Sequence, residues 1–226
     1  MTYKYLTNWA FLFILIKCRP GADVVPAGTA MDSVRRRDGF FRERLMKEIR
    51  WSGRGGQGGF TAARLLGMAA ALYENKFALA FPAFGPERRG APVLGFTRID
   101  DRKITDRSEV EHCDYVVVLD ETLISPKSWE GLRPGGTLLV NSRSSRGIAR
   151  PGGMTLITLD ATSLALDILG RPITNTAMLG ALVAVSGLVG LDSAKKAVET
   201  GLPAHLAERN LSILEKAFDR IRETRS

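Results

Sequence analysis

Gly53-Arg54-Gly55-Gly56-Gln57-Gly58 puts four glycines into six residues, between a short apolar stretch, Glu48 to Ser52, and a helix-forming stretch, Gln57 to Tyr73. Glycine adds nothing to a core. It lets a backbone turn tightly and approach another group closely, with N–H groups left free to point at it. A helix beginning in such a turn adds its own unpaired N–H groups and the positive end of its dipole. That combination suits an anion, most often a phosphate. A second stretch, Phe84-Gly85-Pro86-Glu87-Arg88-Arg89-Gly90-Ala91-Pro92, sets two guanidinium groups in a proline-framed loop. Arginine on a stiff loop suits planar, two-pronged recognition of carboxylate or phosphate. The plainer alternative is a surface ion pair of Arg88 or Arg89 with Glu87 or Asp106. The candidate ligand contacts are Gly53, Arg54, Gly55, Gly56, Gln57, Gly58, Arg88 and Arg89.

Gly53-x-Gly55-x-x-Gly58 also has the form of a dinucleotide fingerprint, with a strand before it and a helix after. That reading wants an acidic residue about 20 positions on, at the end of the second strand, to hold a ribose. Glu74 precedes that strand, and the strand itself ends in Phe81-Pro82. The fit is incomplete, so an NAD or FAD enzyme stays as an alternative, beside a ligand-free turn in an interaction protein. His112 and His205 are single histidines with no partner in the sequence. Cys113 follows His112, but neighbours on a strand point to opposite faces, so the thiol is expected to be inert. Asn175 reads as a helix cap.

The elements that position these residues alternate between strand and helix. Glu48 to Ser52 is a first strand. Thr61 to Tyr73 is a helix with Leu65, Met68, Ala69 and Leu72 at helical spacing, and Gly67 inside it implies close approach to a sheet. Phe77 to Phe81 is a second strand. Val93 to Ile99 and Lys103-Ile104 read as strand, turn, strand around Asp100-Asp101. The β-branched run Tyr115 to Leu119 is a buried central strand. Leu123 to Trp129 has helical character, and Pro134-Gly135-Gly136 turns into the strand Thr137 to Asn141. Met154 to Leu159 is the last strand. A helix from Ser163 to Leu169 has Asp160 and Thr162 available as caps. A small-residue helix, apolar nearly all round, runs from Thr174 or Asn175 to Leu188. A final helix from Ala204 to Arg222 carries Leu206, Leu211, Leu214 and Phe218 on one stripe. The expected class is α/β: a doubly wound, mostly parallel, Rossmann-like sheet with helices on both faces and a C-terminal helical segment. In such folds ligands sit off the carboxyl ends of the strands, the edge where the glycine loop lies.

Charge and composition bound the partners. The chain has 226 residues and a net charge of +8. Residues 1–45 hold eight Lys/Arg against four Asp/Glu, and the rest hold 24 against 20, so each part carries +4. A folded part that is only mildly basic does not mark a nucleic-acid protein; anionic ligands or an acidic protein partner fit it. The apolar run Trp9 to Ile16 is far shorter than the roughly 20 residues a bilayer span needs, so no membrane role is expected. Residues 1–45, with this run, a Gly/Pro/Ala-rich segment and Arg35-Arg36-Arg37, read as a poorly ordered leader or a mis-assigned start, with Met31 or Met46 as the alternative. Residues 46–226 then form one domain. Cys18 and Cys113, far apart and in no CxxC, indicate a reducing compartment, the cytoplasm, and no iron–sulfur cluster held by this chain.

The ordered segments from Met46 (MKEIRWSGRGGQG), Phe81 (FPAFGPERRGAPV), Asp114 (DYVVV), Gly135 (GGTLLVNS) and Asn175 (NTAMLGA) resemble the gamma subunit, or gamma domain, of 2-oxoacid:ferredoxin oxidoreductases. The FGPERRGAP form is closest to the pyruvate and 2-oxoisovalerate branch. The resemblance spans Met46 to near the C-terminus and finds no counterpart for residues 1–45. It implies a complex that turns a 2-oxoacid such as pyruvate, coenzyme A and oxidised ferredoxin into acyl-CoA, carbon dioxide and reduced ferredoxin. It implies that thiamine diphosphate and Mg are held by alpha and beta subunits, and iron–sulfur clusters by beta and delta chains. This chain has no Gly-Asp-Gly segment for thiamine diphosphate, so the resemblance makes it a non-catalytic subunit with no metal of its own. The family's gamma domain is linked to coenzyme A, whose three phosphates fit a glycine loop and an arginine loop. The expectation is backbone contacts from Gly55, Gly56, Gln57 and Gly58, and phosphate pairing by Arg54, Arg88 or Arg89.

Overall fold

The computed structural model describes residues 46–83, 93–150 and 152–225, with the backbone of Ile14 and Leu15. The Arg88/Arg89 loop and the remainder of the expected leader lie outside the described residues.

The strands are β1 (Ile14–Leu15), β2 (Lys47–Gly53), β3 (Phe77–Pro82), β4 (Val93–Asp100), β5 (Cys113–Val118), β6 (Leu132–Asn141) and β7 (Thr155–Leu159). They form one sheet in the order β1-β3-β4-β2-β5-β6-β7. β2, β5, β6 and β7 pair in parallel, while β4 is antiparallel to both β2 and β3. All but β1 and β4 therefore run the same way. From β2 the chain passes over to β3, comes back with β4 filling the place between them, then builds β5, β6 and β7 on the other side of β2. The order reverses between β2 and β5, where α/β sheets open a crevice at the carboxyl ends of the strands.

β5 sits centrally because Val116 and Val117 are fully buried on opposite faces, as a continuous β-branched run requires. In β6, Leu132 pairs with Cys113 and Thr137 with Tyr115, so Pro134-Gly135-Gly136 is squeezed out of register. The expected turn exists, but as an irregularity within one strand. Lys103-Ile104 forms no strand. Ile104 is apolar because it plugs the core from a loop, only 8% exposed.

The helices are α1 (Gly59–Met68), α2 (Ala161–Leu169), α3 (Asn175–Ser186), α4 (Leu191–Gly201) and α5 (Ala204–Arg225). They gather on one face, sharing a single core with Ile49, Trp51, Val117, Leu139 and Leu159. The expectation of helices on both faces holds only in reduced form. The second face, around Phe96, Val116, Val118, Trp129 and Leu138, is met by single 3₁₀ turns at Glu121–Leu123 and Pro126–Trp129. The β5–β6 connection is interrupted by Pro126 at one turn's start and by Gly131 at φ 74°, which leaves no unbroken run for an α-helix.

α1 lies tightly on the sheet. A Cβ on Gly67 would stand 3.5 Å from that of Ala80 and 3.7 Å from that of Ala78. The fully buried Trp51 indole donates to Thr97 Oγ1 at 3.2 Å, and that hydroxyl donates to the Ala63 carbonyl at 2.9 Å, joining β2, β4 and α1. A π turn at Ala69–Tyr73 continues α1 and buries three consecutive alanines. The wider turn shifts the phase, so Leu72 faces solvent, contrary to the helical stripe expected for it. α3 is buried throughout its first nine residues, as its all-round apolar character requires. It meets α5 closely: a Cβ on Gly180 would fall 2.2 Å from the Leu214 carbonyl oxygen. On α5 the buried stripe is Ile213, Leu214, Ala217 and Ile221, and Leu206 is exposed.

Candidate functional site

The glycine loop joins the end of β2 to the start of α1. Its glycines have separate reasons. A Cβ on Gly53 would crowd the Leu119 side chain at 3.0 Å. Gly58 has φ 77°, and a Cβ there would meet Asn175 Nδ2 at 2.5 Å. Gly56 needs its positive φ of 85°. Gly55 has none of these causes: its φ is ordinary and nothing lies within 4 Å of where a Cβ would be. Neither the turn nor the core explains that glycine.

Arg54 and Gln57 build the loop from within. Gln57 N–H donates to the Arg54 carbonyl at 3.1 Å, and Arg54 N–H donates to Gln57 Oε1 at 2.7 Å. Both side chains then reach Asp120, just beyond β5. Arg54 Nε donates to Asp120 Oδ2 at 3.0 Å and Gln57 Nε2 to the same oxygen at 3.1 Å. The other oxygen accepts from Thr122 N–H at 3.0 Å and the Thr122 hydroxyl at 2.6 Å. Arg54 Nη2 also donates to Thr122 Oγ1 at 2.8 Å. A carboxylate offers about four lone-pair sites, and all four are taken. Burial pushes the Asp120 carboxyl up, but the bonds from Thr122, Gln57 and Arg54 outweigh it and hold it below its ordinary value.

Two clefts flank the loop. The first, about 690 Å³, lies over the carboxyl ends of β5, β6 and β7. Asp120, Glu121 and Asp160 line it, with Arg143 as its cation. Arg143 Nε lies 3.2 Å from Asp160 Oδ2. Burial raises the Asp160 carboxyl, while the Ser163 amide and hydroxyl and Arg143 hold it below its usual value. Asp160 is the cap of α2, accepting from Ser163 N–H at 2.9 Å. Thr162 is not a cap; its hydroxyl accepts from Asn141 Nδ2 at 2.9 Å.

The second cleft, about 660 Å³, opens on the other side of Gly56, between the loop and α5. Its charged groups are Arg171 and Arg209, with His205 beside them, and no carboxylate lines it. Ile173, Leu202 and Leu206 give it apolar walls. Asn175 underlies both loop and cleft: it is 6% exposed, and its Nδ2 faces the Gly58 carbonyl at 3.4 Å. It opens α3, and α5 joins through Thr176 Oγ1, which bonds Asn210 Oδ1 at 2.8 Å.

The sequence-predicted residues are thus partly assembled. Gly53, Arg54, Gly55, Gly56, Gln57 and Gly58 form one loop at the expected edge. The Arg88/Arg89 segment lies outside the described residues, but its flanks return to this edge, with Val93 paired to Gly53 and Gly95 to Pro82. Sequence reasoning missed Asp120, Arg171 and Arg209. Asp120 ends a recognisable buried strand, which is a usable signal. Arg171 and Arg209 meet only through the packing of α5.

At the opposite edge, the buried Glu48 accepts from Arg98 Nε at 2.9 Å and from Arg133, which donates at 2.7 Å to Asp114. This network ties β2, β4, β5 and β6 together. Cys113 lies beside it, 1% exposed, its thiol pushed up to about 11 by burial against the pull of Arg50 and Arg133. His112 is exposed. Among the described residues no helix is long and apolar enough to cross a membrane, and no cluster of three or more His, Cys, Asp or Glu could hold a metal ion.

Sheet, loop and clefts define a Rossmann-like α/β domain with a glycine turn at the carboxyl edge of its parallel strands. The sequence pattern of the pyruvate ferredoxin/flavodoxin oxidoreductase family matches residues 48–220. The chain is 48% identical over 175 residues to pyruvate synthase subunit PorC of Methanocaldococcus jannaschii, covering 77% of this chain and 96% of that one. It is 46% identical to the pyruvate/ketoisovalerate oxidoreductases common subunit gamma of Thermococcus kodakarensis, over 77% of this chain and 97% of that one. The crystal structure of pyruvate oxidoreductase subunit PORC from Thermotoga maritima superposes with a TM-score of 0.67 at 40% identity, covering 78% and 97% of the two chains. A 2-oxoglutarate:ferredoxin oxidoreductase from Magnetococcus marinus, solved with 2-oxoglutarate, coenzyme A and succinyl-CoA bound, shares the fold at 17% identity and a TM-score of 0.63, over 80% of this chain and 32% of that one. The chain belongs to the pyruvate ferredoxin/flavodoxin oxidoreductase family, and within it to the gamma-subunit type.

Proposed function

We propose that this gamma-type chain supplies part of the coenzyme A site of a cytoplasmic 2-oxoacid:ferredoxin oxidoreductase. In this reading the complex decarboxylates a 2-oxoacid such as pyruvate, passes the acyl group to the coenzyme A thiol and the electrons to ferredoxin. Thiamine diphosphate, Mg and the iron–sulfur clusters belong to alpha, beta and, where present, delta subunits. This chain binds and positions the carrier and helps assemble the complex.

The observation that carries the proposal is Gly55. A residue with ordinary φ and open space around its Cα gains nothing from being glycine in the free protein. It gains when a ligand must lie against the backbone. Around it stand the first amides of α1, which a helix leaves without internal acceptors, and these favour phosphate. Asp120 bears against the dinucleotide alternative, because its acceptor sites are filled and none remains for a ribose. The same ion pair gives Arg54 a shaping role in the loop, so phosphate pairing falls to other arginines, Arg88 and Arg89 among them.

The test is kinetic, on the assembled complex. Arg88→Ala with Arg89→Ala raises KM for coenzyme A about tenfold, the worth of one charge-assisted contact of roughly 1.4 kcal/mol, and leaves KM for the 2-oxoacid unchanged. An unchanged KM for coenzyme A removes those two arginines from the site.

A further inference from the structure

The two clefts beside the glycine loop are similar in volume and opposite in charge. Three carboxylates line the one over the strand ends, and its cation, Arg143, is paired with Asp160. A phosphate entering there meets repulsion. The cleft against α5 has Arg171 and Arg209, neither of which pairs with a carboxylate among the described residues, and no acidic residue in its lining. It also concentrates exposed apolar surface. Leu206, which lines this cleft and not the other, is 44% exposed, and Ile173, on the rim the two clefts share, is 38% exposed; these are two of only four large hydrophobic side chains exposed to that extent among the described residues. Guanidinium groups beside an uncovered apolar wall fit a ligand that is anionic at one point and flat and apolar at another. Adenosine carrying phosphates has that character.

We propose that the cleft between the glycine loop and α5 receives the phosphorylated adenosine end of the carrier, with Arg171 and Arg209 as its cations and Ile173 and Leu206 as the surface under the base. This rests on the coenzyme A reading above and deepens it. It assigns charge recognition to residues 38 positions apart in the chain, outside the glycine loop. Gly55 itself lines the acidic cleft, so the phosphates lie on the Gly56 and Gly58 side of the loop, and an uncharged part of the carrier runs past Gly55.

The experiment uses the assembled complex and adenosine 3′,5′-bisphosphate as a competitive inhibitor against coenzyme A. Both arginines are exposed, so Arg171→Ala/Arg209→Ala leaves the fold intact, and its thermal midpoint is the check. The double variant weakens inhibition at least about tenfold and raises KM for coenzyme A alike, with KM for the 2-oxoacid unchanged. Arg143→Ala changes neither. Unchanged inhibition in the double variant overturns the assignment, as does a loss found with Arg143→Ala instead. Gly55→Val separates the two levels of the argument. If it raises KM for coenzyme A while the arginine variant does not, the coenzyme A reading stands and this subsite is wrong. If neither variant affects KM for coenzyme A, the broader reading fails as well.

Discussion

The cleft over the strand ends and the cleft against α5 share a wall, the glycine loop, yet they are built in different ways. The first is made by the sheet itself: its polar groups follow directly from β5, β6 and β7 and are largely spent on one another. Asp120 is saturated by Arg54, Gln57 and Thr122, and Asp160 by Ser163 and Arg143. The second is made by a helix arriving from the end of the chain, and its arginines keep their charge uncommitted among the described residues. The lesson is that charge near a glycine loop does not by itself mark a ligand contact. Arg54 is the loop's own cation, but it is neutralised where it stands.

The largest expected effect comes from removing one wall while sparing the other. Gly180→Val pushes a side chain into the Leu214 carbonyl, 2.2 Å from where its Cβ would be, and drives α5 from α3. Overpacking of this kind costs on the order of 3 kcal/mol. That lowers the thermal midpoint by roughly 6–12 °C for a domain of this size. Calorimetry checks the midpoint, and the α5 cleft should lose its ligand first.

Asp120→Asn comes next. It removes a charge from a carboxylate with four donors, for about 1.5–3 kcal/mol. Because the folded carboxyl is held below its ordinary value, its contribution is complete above the unfolded value near ~3.9 and is lost as pH falls through the folded value. The gap in urea midpoint between parent and variant should therefore be constant at neutral pH and shrink below about pH 4. A gap that grows on acidification contradicts the network.

The smallest effect belongs to Arg143→Ala. The side chain is 80% exposed, so its pair with Asp160 is worth no more than about 0.5 kcal/mol. Denaturant titration should place the variant within error of the parent. A larger loss would mean that the acidic cleft depends on Arg143 to stay folded.

Much of this was legible in the sequence, for reasons of unequal strength. The run Tyr115 to Leu119 could only be an interior strand, and the glycine cluster could only be a turn. Gly67 announced a close helix–sheet approach, and Ala78 and Ala80 lie opposite it. Ile104 misled because burial without a strand leaves the same apolar mark as burial within one. α4 was passed over because Ala194, Ala197 and Val198 are a thin apolar stripe among charged neighbours. The gathering of the α-helices on one face follows from a β5–β6 connection broken by Pro126 and Gly131, not from any helix's own pattern. In the site, the loop was legible and its charge balance was not. Arg54 meets Asp120 across 66 residues, and Arg171 meets Arg209 only once α5 has docked.

The measurement closest to the central claim is the Michaelis constant for coenzyme A in a complex carrying Gly55→Val. The substitution meets open space and an ordinary φ, so the thermal midpoint should stay where it is. The account predicts a rise in KM for coenzyme A of at least about tenfold with KM for the 2-oxoacid unchanged, as a side chain holds the ligand off the backbone. An unchanged KM for coenzyme A would contradict it, and would leave the bare loop without a ligand to explain it.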